Sequence, residues 1–409
     1  MDRVVIVGGG IAGLALGMNL HARGISCCVF ERSPEVRELG VGITLLPHAM
    51  REFAALGLQD PLMAAGIINQ ESCFFNRFGQ LIYKEPRGQF AGYPNPEVGI
   101  HRGRLHMILF QAALAKLGNE RVLTNHQCVG IDQDERGVSV RFTETSSGAQ
   151  LPAVRGEVVI ACDGISSSVR KQFYPHEEVA FAGINTWRGV TRRKPILGGR
   201  SYLRVGSILT GKMVIYPIID DVDGQGNQLI NWMAEIQHRE SVGKNDWNKV
   251  GRLEDFQPIY AGWRYDWLDV AELIAKSEQI LEYPMVDKDP VDRWTFGRVT
   301  FAGDAAHPMY PRGSNGAAQA AVDARTLADS LAANTDSRAA LLDYEAKRLP
   351  VTAKIVRTNR EQPPDFINIK VEELVGDRPF DNLDKYITQA ELKKMSDDYK
   401  QVAGYALPT

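Results

Sequence analysis

The 409-residue sequence has only five cysteines (Cys27, Cys28, Cys73, Cys128 and Cys162), and no two are spaced as C-x-x-C. So odd and scattered a set excludes a disulfide framework and a thiolate metal site. It points instead to a reducing, cytoplasmic setting with the thiols as small buried hydrophobes. The eight histidines form no H-x-x-x-H or H-E-x-x-H pattern, so no metal is expected. Surplus charge is also missing: the net charge is -3 and there is no basic block, which excludes nucleic acid or an anionic membrane as the main partner. No run of ~18 apolar residues occurs, so no membrane span is expected. The apolar amino terminus lacks a basic leader and is broken by glycines where the core of a signal peptide would lie. Repeats and low-complexity tracts are absent. The remaining composition is that of an ordinary globular protein of two or three domains, suited to small-molecule chemistry.

Glycine is plentiful and concentrated. "VVIVGGGIAGLALGMNLHARGISCCVFER" (4–32) sets three glycines in a row between a β-branched run and an amphipathic stretch. The run reads as a strand, Ile11 to Arg23 as a helix ended by Gly24, and "SCCVFE" as the next strand. This βαβ opening belongs to a mostly parallel sheet. Gly8, Gly10 and Gly13 fit G-x-G-x-x-G: one makes the turn, one lets the backbone approach a pyrophosphate, and one lets the helix pack on the strand. Glu31 ends the second strand, 18 residues past Gly13, where a carboxylate can bind a ribose diol. Glycines alone make a tight corner; this context favours a dinucleotide.

Farther along, "LLPHAMREFAALG" reads as a helix with Pro47 in its first turn. "LHMILFQAALAKLG" reads as another, with Leu105, Ile108, Leu109, Ala112 and Ala113 on one face. "EVVIACDGISSSVR" and "RVTFAGDAAHPMYPRGSNGAAQAAVDARTLADSL" each repeat the strand-then-turn theme, the second ahead of an alanine-rich helix. Between them, from about Ala180 to Pro284, lie five of the six tryptophans and short β-like runs such as "KMVIYPII" and "LINWMAEI". These predict a second, largely antiparallel domain inserted into the first, with strands added from Phe74 onward. The tail after Pro350 reads as helical, interrupted by Pro363 and Pro364 and packed over the outside of the core.

"GGGIAG" with Glu31, "DGISSSVR" and "GDAAHP", in this order, resemble the class A flavoprotein aromatic monooxygenases typified by para-hydroxybenzoate and salicylate hydroxylases. The likeness runs nearly to Arg348. "ELGVGI", "IHRGRLHMIL", "TWRGV", "YPMVDKDP" and "GDAAHPMYPRGSNGAAQA" are similar to the phenazine-modifying subgroup. The resemblance implies an α/β fold: a Rossmann-like FAD-binding domain (1–73, 101–179, 285–349), an inserted antiparallel β substrate domain (74–100, 180–284) and a C-terminal helical region (350–409). It implies FAD as cofactor, with NADH or NADPH as a transient co-substrate, since a second G-x-G-x-x-G is lacking. The partners implied are dioxygen and a small, carboxylated aromatic or heteroaromatic ring, hydroxylated through a flavin C4a-hydroperoxide by a monomer or homodimer.

Carried over residue by residue, Gly8, Gly10, Ile11, Ala12 and Gly13 are implied at the pyrophosphate and Glu31 at the adenosine ribose, with Arg32 and Val41 beside them. Arg102 is implied to reach FAD from a helix start, and Asp304 to lie beside the pyrophosphate and ribitol. Asp163 and Gly164 match a segment serving both FAD and the nicotinamide cofactor. Asn315, Gly316 and Ala317 are implied to face the flavin pyrimidine ring with backbone N–H groups, and Pro308 to lie over the isoalloxazine. Ala318 departs from the usual asparagine, which removes a side-chain amide.

A chamber for oxygen transfer must be dry, and Trp187, Met213, Tyr216, Trp232, Met309 and Tyr310 suit either its lining or a plain sheet core. Tyr216 and Tyr310 are the favoured ring contacts, because a phenol both flanks a ring and offers a hydrogen bond. Arg188 suits a substrate carboxylate or a structural ion pair. Thr44 borders the flavin, His48 is expected on a helix surface, and His307 is expected to be structural. No general base is evident. Flavin-dependent halogenation is disfavoured by the missing W-x-W-x-I-P signature. An FAD-dependent reductase and a non-catalytic redox sensor remain as alternatives.

Overall fold

Short β-branched runs, buried on both faces as parallel strands require, build the first sheet of the computed structural model, which describes residues 2–38, 40–237 and 249–407. Leu39 of "ELGVGI" and Trp247 of the tryptophan-rich stretch lie outside the described residues. Val122–Leu123, Cys27–Phe30, Asp2–Val7 and Val154–Ala161 pair in parallel in that order. Val299–Phe301 extends the far edge in parallel along the second half of Val154–Ala161, and the hairpin His126–Asp134/Gly137–Glu144 covers its first half. The helix Ile11–Ala22 lies between the helices Arg102–Leu117 and Gly316–Ala333. All five cysteines are buried thiols.

The second sheet runs in the order Ile280–Asp287, Ala180–Arg193, Gln228–Gln237, Gly211–Ile219, Ser201–Ser207, Glu71–Phe75, Leu81–Pro86. Every pairing is antiparallel except that of Ser201–Ser207 with Glu71–Phe75. Alternation splits its side chains between two faces. Trp187, Met213, Ile215, Trp232 and Ala234 pack on one side with Phe256, Tyr260 and Trp263. Tyr202, Val214, Tyr216, Ile218 and Met233 form the other. A three-stranded sheet of Gly42–Leu45, Val98–His101 and Ile67–Ile68 joins the two large sheets. It crosses closely: Gly42 N–H donates to Asn231 Oδ1 (2.7 Å), and a Cβ at Gly42 would sit 2.8 Å from both Asn231 and Ile218.

Two expectations about the carboxyl-terminal part change. The helix Ser337–Glu361 runs straight through Pro350, so a division there falls inside one element. The tail is also more than an outer cover. Phe366–Val375 packs on Phe74, Ile82 and Tyr83, and Gln389–Val402, started by a Thr388/Glu391 capping box, buries Tyr399 against Leu46.

Asp323, on Gly316–Ala333, is wholly shut from solvent. It accepts from Gly303 N–H (3.0 Å), from His307 Nε2 (2.5 Å) and from Arg348 Nε (2.7 Å). Burial pushes its carboxyl up, but the His307 and Arg348 partners outweigh this and hold it well below the usual carboxylate range. Because an unfolded aspartate titrates near ~3.9, this stabilisation is full above that pH and fades as the pH falls below it. Asp323→Asn should therefore cost about 3–5 kcal/mol near neutral pH. In denaturant titrations from pH 7 to pH 3, the variant should lose less stability than the wild type; equal losses would remove Asp323 from the acid response.

Candidate functional site

The glycine turn has the shape its spacing requires. Gly8 has φ +108°, and a Cβ there would lie 2.3 Å from the Cys162 carbonyl oxygen; one at Gly13 would lie 1.9 Å from the Gly8 carbonyl oxygen. These two glycines are fixed by contact with protein. Gly10 is different, because a Cβ there would meet nothing within 4 Å. It stands at the N-terminus of Ile11–Ala22, where no side chain caps the N–H groups of Ile11 and Ala12. The result is an open, positively polarised cradle of the kind that suits a diphosphate.

Glu31 Oε2 accepts from Gly9 N–H (2.7 Å) and Oε1 from Ser33 N–H (2.8 Å), so the carboxylate is set against the loop. Arg32 beside it is exposed. Sequence reasoning missed His106, whose ring nitrogen donates to the Gly9 carbonyl (2.7 Å); it lies inside "IHRGRLHMIL", but its partner is 97 residues away in sequence. It also missed Arg170, the last residue of "DGISSSVR". Fully buried, Arg170 donates to the carbonyls of Ala305 (2.9 Å) and Ala306 (2.7 Å) and ties the second motif to the third.

Asp163 occupies its carboxylate locally, accepting from Ser167 Oγ (2.5 Å) and Ser168 N–H (2.8 Å) at the start of Ser168–Phe173. What it presents to the glycine turn is backbone, with its N 2.8 Å from the Gly8 Cβ position. Gly164 follows with φ +78°. Asp304 is exposed, follows Gly303 (φ +59°), and lies 3.9 Å from the Gly316 Cβ position. Arg102, whose N–H donates to the Val41 carbonyl (2.9 Å), is close enough to act electrostatically on Asp304. Ala12, Asp304 and Gly316 thus come close to one another, Arg102 acts on the acid, and the first turn of Gly316–Ala333, including Ala317, has no side-chain cap. That open cradle and exposed acid fit FAD.

Pro308 is buried, whereas Pro311, which the sequence reading passed over, is exposed in the turn leading to Gly316. Met309 is half-buried. Tyr310 packs with Ile184, Ile208 and Met285, and its hydroxyl donates to the Ala180 carbonyl (3.3 Å).

Sheet alternation divides the expected chamber residues. Trp187, Met213 and Trp232 belong to the core on the face turned away from Tyr216, with Trp187 stacked on Phe256 at 5.0 Å. Their aromatic and sulfur character was equally suited to either face, and only the register decides. On the inner face, Tyr216 stacks on Tyr202 (4.9 Å, 14° between planes), and burial pushes its phenol far up. Thr44 Oγ1 is buried beside the Tyr216 phenol.

Arg188 lies on this inner face, on the second strand from the sheet's edge, between Met233 and Leu281. It makes no ion pair among the described residues, its Nε is buried without a partner, and its guanidinium lies 5.4 Å from the Tyr283 ring centroid. Glu235, the acid that acts on it electrostatically, is already taken by Lys212 (2.7 Å), which also reaches Asp365 (3.0 Å). Burial pulls the Arg188 pKa down, yet a guanidinium stays charged at neutral pH. His48, expected on a surface, is buried.

A sequence profile described as "FAD binding domain" matches residues 1–194 and 268–359. Phenazine 1,6-dicarboxylic acid hydroxylase PhzS of Lysobacter antibioticus is 39% identical over 88% of this chain and 89% of its own. 3-Hydroxybenzoate 6-hydroxylase of Polaromonas naphthalenivorans is 30% identical over 91% and 90%. Among solved structures, Klebsiella pneumoniae HpxO complexed with FAD and uric acid has the same fold (TM-score 0.74, 20% identity, 99% and 93% covered). By profile and by identity, the chain belongs to the FAD-binding class A flavoprotein aromatic monooxygenases, near their phenazine-modifying subgroup.

Proposed function

We propose that this monooxygenase hydroxylates a planar aromatic or heteroaromatic ring bearing a carboxylate, consuming NADH or NADPH and dioxygen. The observation that carries the substrate class is Arg188: a half-buried guanidinium beside Tyr283, with its Nε shut from solvent and no acidic partner among the described residues, is well placed to take an anion. The relatives named above act, by their names, on a phenazine dicarboxylic acid and a hydroxybenzoate. Both are planar carboxylated rings.

Bound FAD supplies the transfer of two electrons from NAD(P)H and the activation of dioxygen. In this reading the cradle at Gly8, Gly10, Ile11, Ala12 and Gly13 holds the diphosphate, and Glu31 and Asp304 hold the sugar hydroxyls. Arg102 neutralises charge between them. On the opposite wall Arg188 takes the carboxylate in a two-point grip and sets the ring against the Tyr202–Tyr216 pair. Val214, Ile218 and Met233 keep that wall apolar, so water is excluded where oxygen is transferred. Orientation and dryness are what the chain adds. Five buried thiols fit a cytoplasmic enzyme, and we take the working form to be a monomer or homodimer.

The decisive experiment is oxygen uptake by the purified yellow protein with NADH and then NADPH, with phenazine carboxylates, hydroxybenzoates or hydroxypyridine carboxylates added in turn. Incorporation of label from dioxygen into one ring supports the reading; NAD(P)H use without incorporation supports a reductase. Arg188→Gln should raise KM for the carboxylated substrate about 10- to 100-fold, the loss of a charged hydrogen bond, and leave KM for its neutral carboxamide analogue nearly unchanged. Equal effects on both would return Arg188 to a structural role. Glu31→Ala should weaken FAD retention, read as a lower ratio of flavin to protein absorbance after gel filtration; full occupancy would refute its role.

A further inference from the structure

The start of the helix Gly316–Ala333 is held by a chain of buried side chains. Asn315 is buried and its side chain caps no N–H of that helix. Its Oδ1 instead lies 3.2 Å from Gln319 Nε2 and 2.9 Å from His48 Nε2. The orientations follow in sequence. Arg348 has only donors, so the Gln319 atom 2.6 Å from it is the oxygen. The Gln319 nitrogen then points to Asn315 and to the Ala403 carbonyl (3.2 Å). Asn315 therefore presents its oxygen to His48, and an amide oxygen has no proton to give. His48 must carry its hydrogen on Nε2, leaving Nδ1 as a bare, buried acceptor. Burial lowers the His48 pKa to about 4, which keeps this neutral form in place at neutral pH. The Tyr405 ring seals the arrangement, stacked on His48 at 4.9 Å with 6° between planes.

We propose that His48 is a positioning residue for the bound flavin: its Nε2–H fixes Asn315 so that the free N–H groups at the start of Gly316–Ala333 are held toward the ring's pyrimidine end. The inference rests on the placement of FAD in this site. Reduced flavin is more negative there than oxidised flavin, so a loosened helix start weakens binding of the reduced form more. His48 acts through Asn315 and need not touch the cofactor.

The test uses the holoenzyme without any ring substrate. His48→Phe, His48→Gln, Asn315→Ala and the His48→Phe/Asn315→Ala double variant are compared for FAD affinity, thermal melt and flavin midpoint potential. His48→Phe should lower the affinity for reduced relative to oxidised FAD about tenfold, a fall of ~30 mV in potential. His48→Gln, whose amide can donate to the same oxygen, should restore most of it. Asn315→Ala should show a similar fall, and the double variant no more than Asn315→Ala alone. An unchanged potential in His48→Phe, an equal fall in His48→Gln, or full additivity in the double variant would overturn the proposal. If His48→Phe does not fold, Asn315→Ala against His48→Gln decides: a fall in the first with none in the second supports it, and no fall in the first overturns it. Wild-type protein without flavin would sink the cofactor placement as well, whereas failure of the potential test alone leaves the aromatic substrate reading intact.

Discussion

An ionised carboxylate buried without solvent is tolerable only when donors surround it, and this requirement at Asp323 organises the cofactor half of the molecule. Its three donors come from the turn at Gly303, from His307 four residues on, and from Arg348 on the next helix. Satisfying the acid brings these segments to one place. Asp304 is thereby set opposite Gly316, and Arg348 continues the hydrogen-bond chain to Gln319 and Asn315. The position of the exposed acid and that of the open helix end share one origin.

The substrate half depends on register instead. In the strand Ala180–Arg193, Trp187 and Arg188 are adjacent in sequence and point to opposite sides of the sheet. One joins a core stacked on Phe256, and the other faces the cofactor half beside Tyr283. A slip of one residue would exchange them. Ten consecutive pairings with Gln228–Gln237, from Ile184 to Arg193, hold that register.

Local signals were legible in the sequence. The strand–glycine–helix opening, the helix after His101 and the turn before Asp304 depend on contacts within a few residues, and the structure forms all three. The resemblance carried the family. Side-chain destinations in the second sheet were not legible, because Trp187, Met213 and Tyr216 have similar character and alternation reveals parity without saying which side faces the cofactor. The partners of Arg188 were also hidden, since whether an arginine finds an acid depends on strands distant in sequence. His106, Arg170 and His48 act on residues far along the chain, and although the first two lie inside recognised motifs, nothing local tells what they bind. The burial of His48 comes from Tyr405, more than three hundred residues away in sequence, and no helical pattern around Pro47 contains that information.

The single parallel pairing in the second sheet has a consequence for how the molecule is made. Glu71–Phe75 lies beside Ser201–Ser207, and Ser201 Oγ donates to Glu71 Oε1 across 130 residues of sequence (2.7 Å). During synthesis the early hairpin must wait for most of the first sheet and the strand Ala180–Arg193 to emerge before its inner edge is covered. Closing so long a loop is slow, and an uncovered edge is open to wrong partners meanwhile. The two halves are threaded through each other in time as well as in space: the wall that would grip the ring is completed only after the cradle for the cofactor has begun to form.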